Sequence, residues 1–324
     1  MALFTLAELE AAVPLVRSVV PPTPQHAWPL LAKRTGAQVW VKHENHTPIG
    51  AFKVRGGVTY MAALKQSDQR CRGVVTATRG NHGQSIALAA ARAGLACTIF
   101  VPRGNSNEKN AAMQALAAEL IVIGADFDEC RPHAARYADE HGYHYVPSFH
   151  AELVKGVATY ALELLQAVPH LDAIYAPIGM GSGICGLISV RDLLGLKTEI
   201  IGVVAEAAPA VALSVAQGQL VNTNSAATFA DGLACRVPVA EPVEIIRRGA
   251  ARVIRVTEEE IAEAIRAYYV DTHNLAEGAG AAPLAALIKE RSSMLGKRVG
   301  LILSGGNIDR ELFANVLAGQ TPGP

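Results

Sequence analysis

Short apolar runs alternate with helix-length segments along most of this chain, and that alternation limits its fold more than any other feature. Residues 73–77, 96–101, 120–123 and 143–146 are strand-like runs, separated by helical patterns over 84–92, 107–118 and 127–141. A second series follows, with strands over 173–178, 199–204 and 299–303 and helices over 151–167, 183–194, 257–272 and 279–290. Each strand is apolar along its whole length instead of alternating, so both of its faces must be covered. Strand and helix in turn predict parallel βαβ units, and the two series predict two doubly wound α/β lobes with mostly parallel sheets. Thr5 with Glu8, and Thr257 with Glu260, carry the spacing of capping boxes at the starts of two helices.

In such folds ligands sit beyond the carboxyl ends of the strands. Three stretches rich in chemistry fall there. Thr78-Arg79-Gly80-Asn81-His82-Gly83 follows one strand, Gly179-Met180-Gly181-Ser182-Gly183 follows another, and Ser304-Gly305-Gly306-Asn307 follows the last. A glycine turn that opens a helix presents backbone N–H groups and the positive end of the helix dipole, a combination suited to phosphate. The loop at 78–83 offers the same to a carboxylate. Arg79 is out of place beside a helix start, where the dipole disfavours cations. It either points to solvent or helps to hold an anion. The Ser304 hydroxyl can donate and accept, which suits a neutral ring nitrogen.

A fourth stretch, Ile49-Gly50-Ala51-Phe52-Lys53-Val54-Arg55-Gly56-Gly57, places one lysine among small residues ahead of a helix pattern at 58–64. Alone, Lys53 reads as a solvated surface charge. Beside a cofactor, a lysine can lose its proton and act as nucleophile and base. Glu277 stands just ahead of the 279–290 helix pattern, a favourable dipole position.

Taken together these stretches resemble the serine/threonine dehydratase family of fold-type II pyridoxal 5′-phosphate enzymes, whose architecture is like that of the tryptophan synthase β chain. The resemblance runs along almost the whole chain, with the motifs in the family's order. It implies that Lys53 binds the cofactor covalently and that Phe52 lies close to its ring. Asn81 would bond the ring oxygen, and Gly179, Met180, Gly181, Ser182 and Gly183 would hold the phosphate. Ser304 would meet the ring nitrogen. Thr78, Arg79, Gly80, Asn81 and His82 would bind the substrate, and Glu277 would face its side chain as a second catalytic group. The implied reaction is β-elimination from L-threonine or L-serine, or from threo-3-hydroxyaspartate or a 3-aryl-serine, giving a 2-oxo acid and ammonia. A large cofactor-binding domain would span 1–72 and 150–324, a small domain 73–149, and the enzyme would be a homodimer. Met180 and Ser182 interrupt the family's run of glycines, and Arg79 replaces a small residue. The stretch after Glu206 lacks a carboxylate that some relatives use for a divalent ion, so no metal is expected.

A competing reading comes from another class. Gly181-Ser182-Gly183-Ile184-Cys185-Gly186 fits G-x-G-x-x-G, and Glu206 follows at the spacing of an NAD fingerprint. It leaves Lys53, Asn81 and Ser304 without a task.

Composition excludes several other classes. Basic and acidic residues balance at 29 each, so no nucleic acid or membrane surface is expected as partner. The five cysteines are scattered without a CxxC pair, which reads as reduced thiols. The four histidines from His133 to His150 lack the spacing of a metal site. With no secretory signal pattern and no long apolar run, a cytoplasmic enzyme or binding protein is expected.

Overall fold

The computed structural model describes residues 3–323. Residues 1, 2 and 324, which the expected domain limits include, lie outside it. The strands are β1 (Gln25–Ala27), β2 (Gln38–His43), β3 (Gly73–Ala77), β4 (Ala96–Val101), β5 (Glu119–Val122), β6 (His144–Tyr145), β7 (Ala173–Pro177), β8 (Glu199–Ala205), β9 (Arg252–Val256) and β10 (Arg298–Leu303). They form a six-stranded sheet in the order β1-β2-β10-β7-β8-β9 and a four-stranded sheet in the order β5-β4-β3-β6. All pairings are parallel except β1 with β2.

The uniformly apolar strands are covered on both faces. In the larger sheet Tyr175, Ile201, Val203, Leu301 and Leu303 pack on one side, with Ile261, Ile265 and Leu284 from two covering helices. Ile174, Ala176, Ile200, Val204 and Ile302 turn to the other side, onto Val157, Leu164 and Leu187. The side chains thus alternate with period two although the sequence does not. Register then sets the site. Leu301 of β10 lies between Val41 of β2 and Tyr175 of β7, so β10 and β7 end side by side.

Both capping boxes form, at Thr5 with Glu8 and at Thr257 with Glu260. The helix after Lys53 is longer than its pattern, running over Val54–Ser67. The small residues after Lys53 serve packing between helices. A Cβ on Gly56 would lie 2.5 Å from the Leu153 carbonyl oxygen, and one on Gly57 would lie 2.4 Å from Ser85 Oγ. β1, β9 and the helices Pro29–Thr35, Ala210–Gln217, Ala240–Gly249 and Arg310–Leu317 add to the elements expected from sequence.

Candidate active site

Lys53 is built into a junction. Ala51 bridges Gly305, Phe52 N–H donates to the Ser304 carbonyl at 3.0 Å, and Gly306 N–H donates to the Gly50 carbonyl at 2.9 Å. The lysine loop is thereby stapled to the turn that ends β10. From the other side Ser85 Oγ donates to the Lys53 carbonyl at 2.6 Å. The side chain runs over the Phe52 ring, with Nζ 4.7 Å from its centroid. Phe52 is held edge-on by Tyr160, whose hydroxyl donates to the Gly183 carbonyl at 2.8 Å. Burial pulls the Lys53 amine down to about 8, against the opposing charge of Glu277.

Two cavities meet at this lysine. The inner one holds about 370 Å³ of empty space, part of it open to solvent, and is lined by Phe52, Gly179 to Gly183, Glu277 and Ser304 among others. The outer one holds about 540 Å³, also partly open to solvent, and is lined by Thr78 to His82, Lys109, Phe127 and Asp231 among others. Lys53, Asn81, Gly179, Met180 and Gly232 border both. Every residue given a cofactor, substrate or catalytic role from the sequence therefore lines one or both cavities.

The inner cavity has an anion site. Gly181, at φ 96°, caps the helix Ser182–Leu193, and no side chain closes that helix start. Its free N–H groups and dipole suit a phosphate. A Cβ on Gly179 would fall 2.2 Å from the Gly232 carbonyl oxygen, which is why the turn begins with glycine. Met180 leaves the glycine turn sideways and brings its sulfur 3.6 Å from Cys235 Sγ. Ser304 is 3% exposed and lines the floor.

The loop after β3 is an incomplete helix start. Thr78 Oγ1 accepts from Gly80 N–H at 2.9 Å and from Gly83 N–H at 3.2 Å. The N–H groups of Arg79, Asn81 and His82 remain without a protein partner among the described residues. Arg79, Asn81 and His82 line the outer cavity, so these N–H groups are available to an anion there. The helix begins at Asn81, three residues earlier than its sequence pattern, so Asn81 and His82 form its first turn.

The Glu277 side chain does not cap its own helix. Its Oε1 accepts from Asn81 Nδ2 at 2.6 Å, and its Oε2 pairs with Lys109 Nζ at 3.3 Å. Lys109 also pairs with Asp231 at 2.6 Å. Asn81 Oδ1 in turn accepts from Asn307 Nδ2 at 2.8 Å. Burial raises the Glu277 carboxyl above the usual range, and Lys109 opposes it. Burial works against the Lys109 ammonium, but Asp231 and Glu277 outweigh it and hold its pKa above the ordinary value. Lys109, Asp231 and Asn307 had no assigned role in the sequence. Lys109 lies in the polar run Asn107-Glu108-Lys109-Asn110, which reads as a solvated face. The Asp231-Gly232 pair was the only local hint of a turn at the site.

The dinucleotide alternative finds no support. Glu206 is exposed and borders neither cavity, while Gly186 lies inside the helix Ser182–Leu193 and packs on Ala158.

A lysine of lowered pKa between an anion turn and a buried hydroxyl, in a parallel-sheet fold, defines an enzyme that captures a phosphorylated aldehyde cofactor. The chain belongs to the pyridoxal-phosphate dependent enzyme family, which matches residues 16–305. It is 37% identical over 287 residues to an L-threonine ammonia-lyase of Geobacter sulfurreducens, covering 88% of this chain and 71% of that one. It is 30% identical over 310 residues to an L-threo-3-hydroxyaspartate ammonia-lyase of Saccharomyces cerevisiae, covering 95% of each. The processed form of threonine deaminase isoform 2 from Solanum lycopersicum superimposes with a TM-score of 0.87 at 28% identity, covering 98% of this chain and 95% of that one. The residues of the inner cavity fit the cofactor: a capturing amine, an uncapped helix start for its phosphate and a turn in which Gly179, Gly181 and Gly183 carry no side chain.

Proposed function

We propose that this enzyme catalyses β-elimination from a β-hydroxy-α-amino acid, with L-threonine and L-serine as reference substrates, releasing a 2-oxo acid and ammonia. The observation that carries it is the junction of the two cavities at Lys53, between an anion site on each side. Pyridoxal phosphate supplies an electron sink for the Cα carbanion. Gly179 to Gly183 would hold its phosphate, Ser304 would meet its ring nitrogen without charging it, and Phe52 would shape the wall beside its ring. Asn81, fixed by Glu277 and Asn307, would meet the ring oxygen. The free N–H groups of the 78–83 loop bind the substrate's α-carboxylate and fix its orientation. Lys53, as the free amine, takes the Cα proton. Glu277 orients the β-hydroxyl, which takes a proton from the now protonated Lys53 and leaves as water when the Cβ–O bond breaks. The unsaturated amine that is released gains water and divides into the 2-oxo acid and ammonia.

An assay for 2-oxo acid and ammonia with L-threonine and L-serine tests the reaction. A protein that binds the cofactor but yields neither product would overturn it. The lowered pKa of Lys53 gives a second test. Only the free amine captures the aldehyde, so the rate of cofactor uptake by the cofactor-free protein rises with pH and levels off above about 8. At pH 6 uptake is roughly 100-fold slower than on the plateau, read by stopped-flow absorbance. A third test addresses the phosphate turn. Gly179→Ala drives a methyl group into the Gly232 carbonyl, so either the turn or its neighbour must shift. Cofactor affinity falls by about tenfold or more, measured by equilibrium titration, while the overall fold is kept.

We further infer that residues 73–149 form a small domain on the large domain of 1–72 and 150–324. The confinement of β3 to β6 to the smaller sheet supports this. Among the described residues no helix is long and apolar enough to cross a membrane. Family resemblance supports a homodimer in the cytoplasm, and sedimentation analysis tests the dimer.

A further inference from the structure

We propose that the preferred substrate carries a carboxylate on its side chain and that Arg79 binds it. This deepens the β-elimination reading and rests on it.

The charged side chains that line the outer cavity are Lys53, Arg79, Lys109 and Asp231. Lys53 takes the cofactor. Lys109 and Asp231 pair with each other at 2.6 Å, and Lys109 also reaches Glu277. Arg79 has no acid within ion-pair distance among the described residues, and its Nε is buried without a hydrogen-bond acceptor. A guanidinium is an all-donor group, and one that is partly stripped of water and left unpaired is costly. The helix that begins two residues later adds to the cost, because its N-terminal dipole repels a cation. No group among the described residues repays this. An anion entering the cavity does.

A second group points the same way. His82 is 7% exposed, lines the same cavity and has an Nε2 without a partner. Burial, with the Lys53 charge adding to it, pulls the imidazole down to about 3, so His82 is neutral and offers a hydrogen bond instead of a competing charge. The planar fork of Arg79 matches a carboxylate with two parallel bonds. The free N–H groups of the same loop take the α-carboxylate. Two anion sites that start from adjacent residues suit a short dicarboxylic amino acid, and a four-carbon 2-amino-3-hydroxy diacid such as threo-3-hydroxyaspartate is the simplest. Its elimination needs no oxidant or reductant. Water is lost at Cβ and regained on hydrolysis, leaving ammonia and the 2-oxo diacid.

The experiment compares kcat/KM for L-threo-3-hydroxyaspartate and L-threonine in the cofactor-loaded enzyme and in Arg79→Gln and Arg79→Lys. We expect the wild type to prefer the diacid by about tenfold or more, and that ratio to fall roughly 30-fold in Arg79→Gln, with Arg79→Lys between them. Calorimetry with succinate and butyrate gives a reading free of turnover. These acids are the carbon skeletons of the two substrates without amine and hydroxyl. The wild type binds succinate more tightly than butyrate, and Arg79→Gln removes the difference. Equal losses on both substrates, or a wild type that binds the two acids alike, would overturn the proposal. An enzyme that consumes threonine and serine but ignores the diacid refutes the Arg79 assignment and leaves β-elimination standing. One that consumes none of them refutes the reaction itself.

Discussion

Lys53→Ala eliminates turnover, by at least about 10⁴-fold, and removes the near-visible absorbance of the cofactor-loaded protein. One side chain is asked for two tasks, covalent capture of the cofactor and abstraction of the Cα proton. General base action alone is worth about 10²–10⁴, and the loss of covalent attachment adds to it. No neighbour can take over. His82 is too weak a base, its pKa pulled down to about 3 by burial, Lys109 is committed to two carboxylates, and Glu277 is locked between Lys109 and Asn81. The variant should fold. Lys53 makes no ion pair within the described residues, and its folded-state pKa of about 8 lies below the ordinary lysine value. Between those two values the unfolded chain binds more protons than the folded one. The lysine therefore costs the cofactor-free protein stability below about pH 8 and stops doing so as pH rises toward the ordinary value. Cofactor-free Lys53→Ala is thus at least as stable as the wild type at pH 7, by thermal melting. An inactive, colourless but well-folded variant is the expected result. Retention of more than about 1% of turnover would refute the assignment of Lys53 as base.

The sequence made the central parallel strands readable because they are buried on both faces and carry mostly apolar residues. It hid the two edges of the larger sheet. β1 is Gln25-His26-Ala27, three mostly exposed residues whose place is set only by pairing with Trp40 to Lys42. β9 mixes Arg252 and Arg255 with Val253, Ile254 and Val256, because an edge strand is only partly covered. The site divides in the same way. Lys53, Asn81, the glycine turn and Ser304 each sit in a local pattern whose geometry follows from a few neighbouring residues. Lys109 and Asp231 do not. They lie 122 positions apart and meet only because the helix Asn107–Ala115 and the turn Asp231–Leu233 border the same cavity. No spacing rule connects them, yet together with Asn81 they decide where the Glu277 carboxylate points. Arg79 is intermediate. Its position before a helix start looked wrong in the sequence for a physical reason, and the absence of an internal counter-ion gives that reason a use.

Arg55→Met destabilises the protein by about 3–5 kcal/mol, the largest stability effect expected of a single change near the site. Arg55 is two residues beyond Lys53 and is completely buried. Its guanidinium bonds Glu44 at 2.7 and 3.0 Å and Glu163 at 2.9 Å from each terminal nitrogen. Lys42, also completely buried, pairs with Glu163 at 2.6 Å. Two cations and two carboxylates thus close a neutral cluster beneath the lysine loop. Burial disfavours the charge on Arg55, but Glu44 and Glu163 overcome it and raise its pKa. Removing the guanidinium leaves two buried carboxylates facing one ammonium, and the cost is mainly that of the stranded charge. Arg55→Lys should not restore stability, because a point charge cannot bond both carboxylates through a planar fork. The double variant Arg55→Met, Glu44→Gln should be milder than Arg55→Met alone, since it restores neutrality. Urea denaturation of the three proteins measures this directly. Because Arg55 fixes the first turn after Lys53 against β2 and the helix Ala151–Ala167, the folded fraction of Arg55→Met should also bind the cofactor more weakly. If the single variant is as stable as the wild type, the cluster contributes nothing beyond what packed apolar side chains would, and the arginine beside Lys53 needs another explanation.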